Sequence, residues 1–351
     1  MHFIHIADVH LGACPDAGFS WSKRREQDIW DSFHRIIETV RQEKTELLLI
    51  AGDLFHRQPL MRELKEVNHL FSMIPDTTVV LMAGNHDYLK SDSLYLKFPW
   101  CSNVICMWQK ECDAVCVKHL HTWIYGCSYH SREVREPLYR KIRPNGEEGF
   151  HILLAHGGDE THSPLDLKEL SLAGFDYAAL GHIHKPQILV PDRIAYAGAL
   201  EPIDRNDLGM HGYIKGTCDA QGTKITFVPF SVCSYIPMQI QISEETTQYA
   251  LENRIRDEIA ELGKENIYRV QLRGIRSEDI RFDTGRLMRL GRIVELADDT
   301  CQGFDYEQLM KQYEGSLIGE YIRRFIYSED ETEQKALEYG VRALLEARRE
   351  I

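Results

Sequence analysis

Five short segments in the first half of the chain carry side chains suited to hard metal ions. They read Asp8-Val9-His10, Gly52-Asp53, Gly84-Asn85-His86-Asp87, Ala155-His156-Gly157 and Gly181-His182-Ile183-His184. Carboxylate, amide and imidazole without thiolate favour two divalent ions of the Mn²⁺ kind, with Fe or Zn as alternatives. A two-metal site needs one ligand that bridges both ions, and an ionised Asp has oxygens for two. Asp53 is the candidate bridge. Asp8, His10 and one histidine of the final pair complete the set for one ion, while Asn85, His156 and the other histidine complete the second. Ions held roughly 3.5–4 Å apart bring a shared water to neutral pKa, so the reaction this donor set implies is in-line attack of a shared hydroxide on phosphorus. His86 is not needed as a ligand, because Asn85 beside it takes that role. It suits a general acid or a donor to the leaving oxygen, with Asp87 to orient it.

Such donors converge only if elements of fixed direction deliver them. Nearly every segment directly follows an apolar, β-branched run: residues 2–7, 46–51, 78–83, 150–155 and 177–180 read as strands. In open α/β sheets, ligands gather at the carboxyl ends of strands. Both members of Asp8/His10 and of His182/His184 are expected to reach ligand positions where the strand has ended and the backbone turns. Gly12, Gly52, Gly84 and Gly181 are expected to supply that turn. A helix over 24–42 shows an apolar face of Ile29, Trp30, Phe33, Ile36, Ile37 and Val40, and a second helix covers 61–73. Strand-like pieces at 193–197, 212–216 and 224–230 follow without intervening helices. The fold class is therefore α/β (α+β), two packed sheets flanked by helices over 1–232. A small α+β unit, 236–300, comes next, with strands at 238–242, 267–272 and 292–296 and a helix over 244–262. Helices fill 301–351. On the last one Ala336, Leu337, Val341, Leu344 and Leu345 form an apolar stripe. It either packs on its own domain or docks a partner helix.

With 351 residues and 43% hydrophobic content, the chain can build a large core plus an appendage. Its net charge of −13 argues against binding nucleic acid by bulk electrostatics. It does not argue against a nuclease, since bound cations invert the local field. Lys23-Arg24-Arg25 and the run Arg132, Arg135, Arg140, Lys141, Arg143 are local basic clusters that would contact phosphate or simply face water. The nine scattered cysteines lack zinc-site spacing and read as reduced thiols. Neither a signal peptide nor an apolar stretch of ~20 residues is visible, so the expected setting is cytoplasmic, away from the membrane.

The five segments in this order resemble the signature of the calcineurin-like metallophosphoesterases: D-x-H, G-D, G-N-H-(D/E), H and G-H-x-H. The likeness extends over roughly residues 1–230 and implies the two-sheet sandwich of that family. It implies His184 with Asp8 and His10, and His182 with Asn85 and His156. Within the superfamily, Gly52-Asp53-Leu54-Phe55-His56, Gly181-His182-Ile183-His184-Lys185-Pro186-Gln187 and Tyr196-Ala197-Gly198-Ala199-Leu200-Glu201-Pro202 look like the SbcD-type nucleases of DNA double-strand-break repair. That resemblance implies that His56 helps place the DNA phosphate. It also implies a small α+β capping domain, a nucleoid-associated homodimer formed through helices such as 61–73, and C-terminal helices that bind an SMC-like ATPase of the SbcC type. Past Val232 the sequence carries no motif of that family. A phosphatase or phosphodiesterase acting on a protein or small molecule is the nearest rival. Leu54-Phe55-His56-Arg57 lacks the D-R-G segment of protein phosphatases. A scaffold with a decayed site is a third reading, and a donor at every position counts against it.

Overall fold

Apolar runs without alternation become strands buried on both faces, and this chain has several. The computed structural model describes residues 1–277, 279–328 and 330–349. They divide into two compact units: residues 1–237 with 263–269, and residues 238–262 with those from 270 onward.

In the first unit the strands are β1 (His2–Ile6), β2 (Leu47–Ala51), β3 (Thr78–Met82), β4 (Val104–Cys106), β5 (Asp113–Val117), β6 (Thr122–Gly126), β7 (Phe150–His156), β8 (Tyr177–Gly181), β9 (Gln187–Val190), β10 (Ile194–Tyr196), β11 (Gly212–Asp219) and β12 (Gly222–Pro229). They form two six-stranded sheets, in the orders β12-β11-β1-β2-β3-β4 and β5-β6-β7-β8-β10-β9. The centres are parallel: β1 to β2 to β3 in one, β6 to β7 to β8 to β10 in the other. Antiparallel strands close the margins except at β4, which runs parallel to β3.

Alternation along β2 sets the layers. Leu47, Leu49 and Ala51 join Phe3, Val80 and Met82 against Ile152, Leu154, Ala179 and Ala195 of the other sheet. Leu48 and Ile50 point the opposite way, onto α1 (Ser22–Glu43) and α2 (Met61–Ser72), where Ile29, Phe33, Ile36, Leu64 and Phe71 wait. The helix α1 stops at Lys44, whose left-handed backbone (φ 52°) returns its N–H to the Arg41 carbonyl. Glu63 caps α2 by accepting the Leu60 N–H at 2.8 Å. Two short helices, α3 (Leu94–Lys97) and α4 (Leu167–Ser171), complete the unit. Strands β4, β5 and β9 lie outside the sequence expectations. All three contain partly exposed residues, and β4 and β9 are short, so they offer no long apolar run to read.

The second unit is built on a sheet of order β13-β14-β15, from β13 (Tyr235–Ile242), β14 (Ile267–Arg276) and β15 (Ile293–Gln302). The helices α5 (Gln248–Leu262), α6 (Thr284–Leu287), α7 (Tyr306–Gln312), α8 (Leu317–Phe325) and α9 (Glu331–Arg349) belong to it. On α9, Leu337 and Val341 are buried in one cluster with Ile318 and Ile322 of α8, and Leu344 and Leu345 pack at its margin. The apolar stripe is therefore spent within its own unit. Among the described residues no helix is long and apolar enough to cross a membrane.

Candidate metal centre

Strand register brings the five segments to one edge of the two sheets. Ile6 pairs with Ile50, Ala51 with Met82, and His156 with Gly181. Beyond the strands the first two loops zip together: Asp8 N–H donates to the Gly52 carbonyl (3.2 Å), His10 N–H to that of Asp53 (3.0 Å) and His56 N–H to that of Leu11 (3.0 Å). One sheet thus supplies Asp8, His10, Asp53 and Asn85, and the other supplies His156, His182 and His184.

The turn at each strand end is made mostly by the candidate ligands themselves. Asp8, His10, Asp53 and His182 sit at φ of 49°, 54°, 49° and 96°, left-handed backbone that non-glycine residues adopt only at a cost of order 1–3 kcal/mol. Gly52 shares that conformation, at φ +84°. Gly84 and Gly181 do not, which corrects the expectation that they supply turning freedom. Gly84 is small because a Cβ there would collide with the Asp53 carboxylate and come within 2.6 Å of His156 Nε2.

Two groups of donors result. His156 Nε2 and His182 Nδ1 both face Asn85 Oδ1, at 2.8 and 3.1 Å, with Asp53 Oδ2 3.5 Å from His156 Nε2. In the other group His10 Nε2 faces His184 Nε2 at 3.1 Å, and a carboxylate oxygen of Asp8 lies within 4.8 Å of the ligand atoms of both. Ring nitrogen aimed at ring nitrogen, and two imidazoles aimed at one amide oxygen, are what ligands of a shared cation look like. The buried N/O donor set fits two divalent ions, with Asp53 adjoining both groups.

Comparison with known families agrees: residues 1–186 match the calcineurin-like phosphoesterases. The chain belongs to that family. It is similar to the DNA double-strand break repair protein Mre11 of Methanocaldococcus jannaschii, 31% identical over 219 residues, 59% of this chain and 58% of the relative. It also resembles the uncharacterized metallophosphoesterase YhaO of Bacillus subtilis, 29% identical over 230 residues, 60% and 56% of the two chains. The match to Mre11 of Archaeoglobus fulgidus is longer, 27% identical over 317 residues, 80% of this chain and 70% of that one. Over the first of these alignments the chain spans little more than half the length of the curated relatives. As a metallophosphoesterase, the chain has a fold that carries a dinuclear divalent metal centre.

Electrostatics in this phosphoesterase site follow from crowding. Burial alone would raise the Asp53 carboxyl, but His156, His10 and His86 hold it well below the usual carboxylate range. Asp8 goes the other way, raised by burial and by Asp53. Burial also works against charge on His156 and His184, yet Asp53 raises the first and Asp207 the second, each to about 9. His182 is pushed down to about 4 by burial and by His156, and His10 is lowered by burial. At pH 7 the free protein therefore holds protons on His156 and His184 that must leave before those nitrogens can bind an ion. Mn²⁺ uptake is expected to release protons at pH 7, less so as pH approaches 9, and affinity to fall on acidification. Calorimetry in two buffers of different ionisation enthalpy measures the release. Uptake at pH 7 with no net proton release contradicts this assignment.

His10, His56 and His86 form a ring cluster beside the His10–His184 donor group, with centroids 4.8–5.2 Å apart. His86 Nδ1 lies 3.0 Å from the His56 carbonyl and so donates to it, which leaves Nε2 as the other ring nitrogen. His56 Nδ1 is 3.4 Å from His10 Nδ1. Asp87 does not take the part expected of it. Fully buried, its carboxylate accepts from the Gly84 and Phe55 N–H groups (2.8 and 3.2 Å) and from the Tyr95 hydroxyl. It shapes the turn that presents Asn85 and His86, and the His56 carbonyl orients His86 instead.

The basic clusters are largely committed elsewhere. Arg25 is fully buried, and Arg24 pairs with Asp28 and Asp31. Arg135 pairs with Glu133, Arg140 grips Glu169, and Arg143 donates to two nearby carbonyls. Several residues at the site carry little sequence signal. Tyr139 hydroxyl accepts the His156 N–H at 3.1 Å, Asp159 meets His182, and Asp207 meets His184. His211 is buried and lies 3.2 Å from both the Ala199 and Asp207 carbonyls.

Proposed function

We propose that this metallophosphoesterase is a Mn²⁺-dependent DNA nuclease, exonuclease and endonuclease, of double-strand-break repair, the catalytic subunit of a complex like SbcC–SbcD. The observation that carries the reading is the His10–His56–His86 cluster at the margin of the metal centre, joined to the likeness with the Mre11 proteins. In this reading Asp8, His10, His184 and Asp53 hold one ion, and Asn85, His156, His182 and Asp53 the other. Bound there, the two ions supply Lewis acidity and a nucleophile at neutral pH. The chain's own residues do the rest. His86, held through Nδ1 by the His56 carbonyl, presents Nε2 to the leaving oxygen; as the imidazolium it gives up the Nε2 proton there and keeps the Nδ1 proton on the carbonyl. His56, partly exposed and stacked on His86, contacts the DNA phosphate. The protein works as a cytoplasmic, nucleoid-associated homodimer, and surfaces of the C-terminal helices other than the α9 stripe bind an SMC-like ATPase.

Purified protein with Mn²⁺ is offered linear duplex DNA, single-stranded DNA and bis-p-nitrophenyl phosphate, alongside His86→Ala. The expected outcome is cleavage of all three, reduced roughly 10²-fold in the variant. Hydrolysis of the small ester but no DNA, even with an SMC-type ATPase added, moves the assignment to a small-molecule or protein phosphoesterase. No activity and no bound metal points to a scaffold. Light scattering that finds a monomer at micromolar concentration removes the homodimer.

A further inference from the structure

The two histidines of Gly181-His182-Ile183-His184 meet the site through different nitrogens. His182 turns Nδ1 inward to Asn85 Oδ1 (3.1 Å), and its Nε2 faces Asp159 Oδ2 at 2.7 Å. His184 turns Nε2 inward to His10 and leaves Nδ1 3.1–3.2 Å from both oxygens of Asp207. An imidazole can offer a lone pair from one nitrogen only if its proton sits on the other, and the partner of that proton decides which. We propose that Asp159 and Asp207 are positioning residues, each fixing the tautomer and ring angle of one histidine so that its inward nitrogen is free for an ion.

Both carboxylates are themselves held. Asp207 accepts the Ile203 and Asp204 N–H groups at 3.0 Å each, and its own N–H returns to the Asp204 carbonyl at 2.8 Å. That turn is pinned on the His184 side as well, since Ala199 N–H donates to the His184 carbonyl at 2.9 Å. Asp159 gathers the Thr161 and His162 N–H groups at 2.7 and 2.9 Å and the Thr161 hydroxyl at 2.9 Å. The His162 ring, 2.9 Å from Asp159 through Nδ1, packs 4.5 Å from the ring of His182. Each carboxylate meets its histidine at the ring nitrogen opposite the inward one, so each acts through that histidine. Partners of this kind shift metal affinity about 10–100-fold when removed.

This inference rests on the two-metal reading, and its test separates the two. Mn²⁺ is titrated by calorimetry into wild type, Asp159→Ala, Asp207→Ala and the near-isosteric Asp159→Asn and Asp207→Asn, and each loaded protein is examined by electron paramagnetic resonance. Wild type is expected to bind two ions with an exchange-coupled spectrum. Each alanine variant should lose about 10–100-fold affinity for one ion only and show the six-line spectrum of isolated Mn²⁺. The Asn variants, which keep an acceptor oxygen, should fall between. Wild-type affinity and a coupled spectrum in both alanine variants overturn the proposal. If an alanine variant does not fold, the Asn variant decides: retention of both ions at wild-type affinity overturns it. Failure of wild type to bind Mn²⁺ overturns the two-metal reading beneath it.

Discussion

Replacing Asp53 by Asn is expected to lower hydrolysis of bis-p-nitrophenyl phosphate by more than about 10³-fold, beyond the loss from removing a single electrostatic stabiliser. Its carboxylate is almost fully buried, with Oδ1 accepting the His86 N–H at 2.8 Å and Oδ2 3.5 Å from His156. The substitution keeps the size and one acceptor oxygen, so the loop after β3 retains its bond. What goes is a negative charge and the ability of two equivalent oxygens to serve both donor groups. Metal analysis of the purified variant should find fewer ions per chain than wild type. A variant within a few-fold of wild-type activity removes Asp53 from the bridging role.

Replacing Arg25 by Met should act on stability rather than on chemistry. On the buried face of α1, Arg25 donates to the Pro202 carbonyl at 2.6 Å and lies 3.2 Å from Asp28 of the same helix and 3.5 Å from Glu201 of the segment after β10. Glu201 also accepts from the Ser32 hydroxyl and the Val232 N–H, at 2.6 Å each. Removing the guanidinium leaves two carboxylates buried side by side. Breaking a buried ion pair in this way costs about 3–5 kcal/mol. For a unit of this size that corresponds to a fall in melting temperature on the order of 10 °C. Differential scanning calorimetry measures it. A melting temperature within a degree or two of wild type shows that the network tolerates the loss, and the prediction fails.

These two residues mark what a sequence discloses and what it hides. Asp53 was legible because a glycine and a carboxylate end an apolar run, and parallel strands present their carboxyl ends together. Arg25, beside Lys23 and Arg24, reads as part of a basic surface, whereas the structure buries it. The helical period that picks out Ile29, Phe33 and Ile36 also puts Arg25 on that stripe, four residues before Ile29. Here the information was present and adjacency outweighed it. Asp87 failed for another reason: neighbours in a tight turn point in unrelated directions, so sitting next to His86 says nothing about touching it. Asp207 had no local signal. Its place behind His184 depends on a turn 23 residues away, and single-sequence spacing does not encode such contacts.

The division of donors between the sheets has a mechanical consequence. Carboxylates, the amide and one imidazole stand on one sheet and three imidazoles on the other, so the gap between sheets acts as a caliper for the ions. That gap is set by side chains such as Leu49, Ala51, Ile152 and Ala179, none of them a donor. A change of one methylene there alters the jaw opening without altering any ligand. Side chains that set the spacing of the donor groups are therefore expected in the buried layer as much as at the rim.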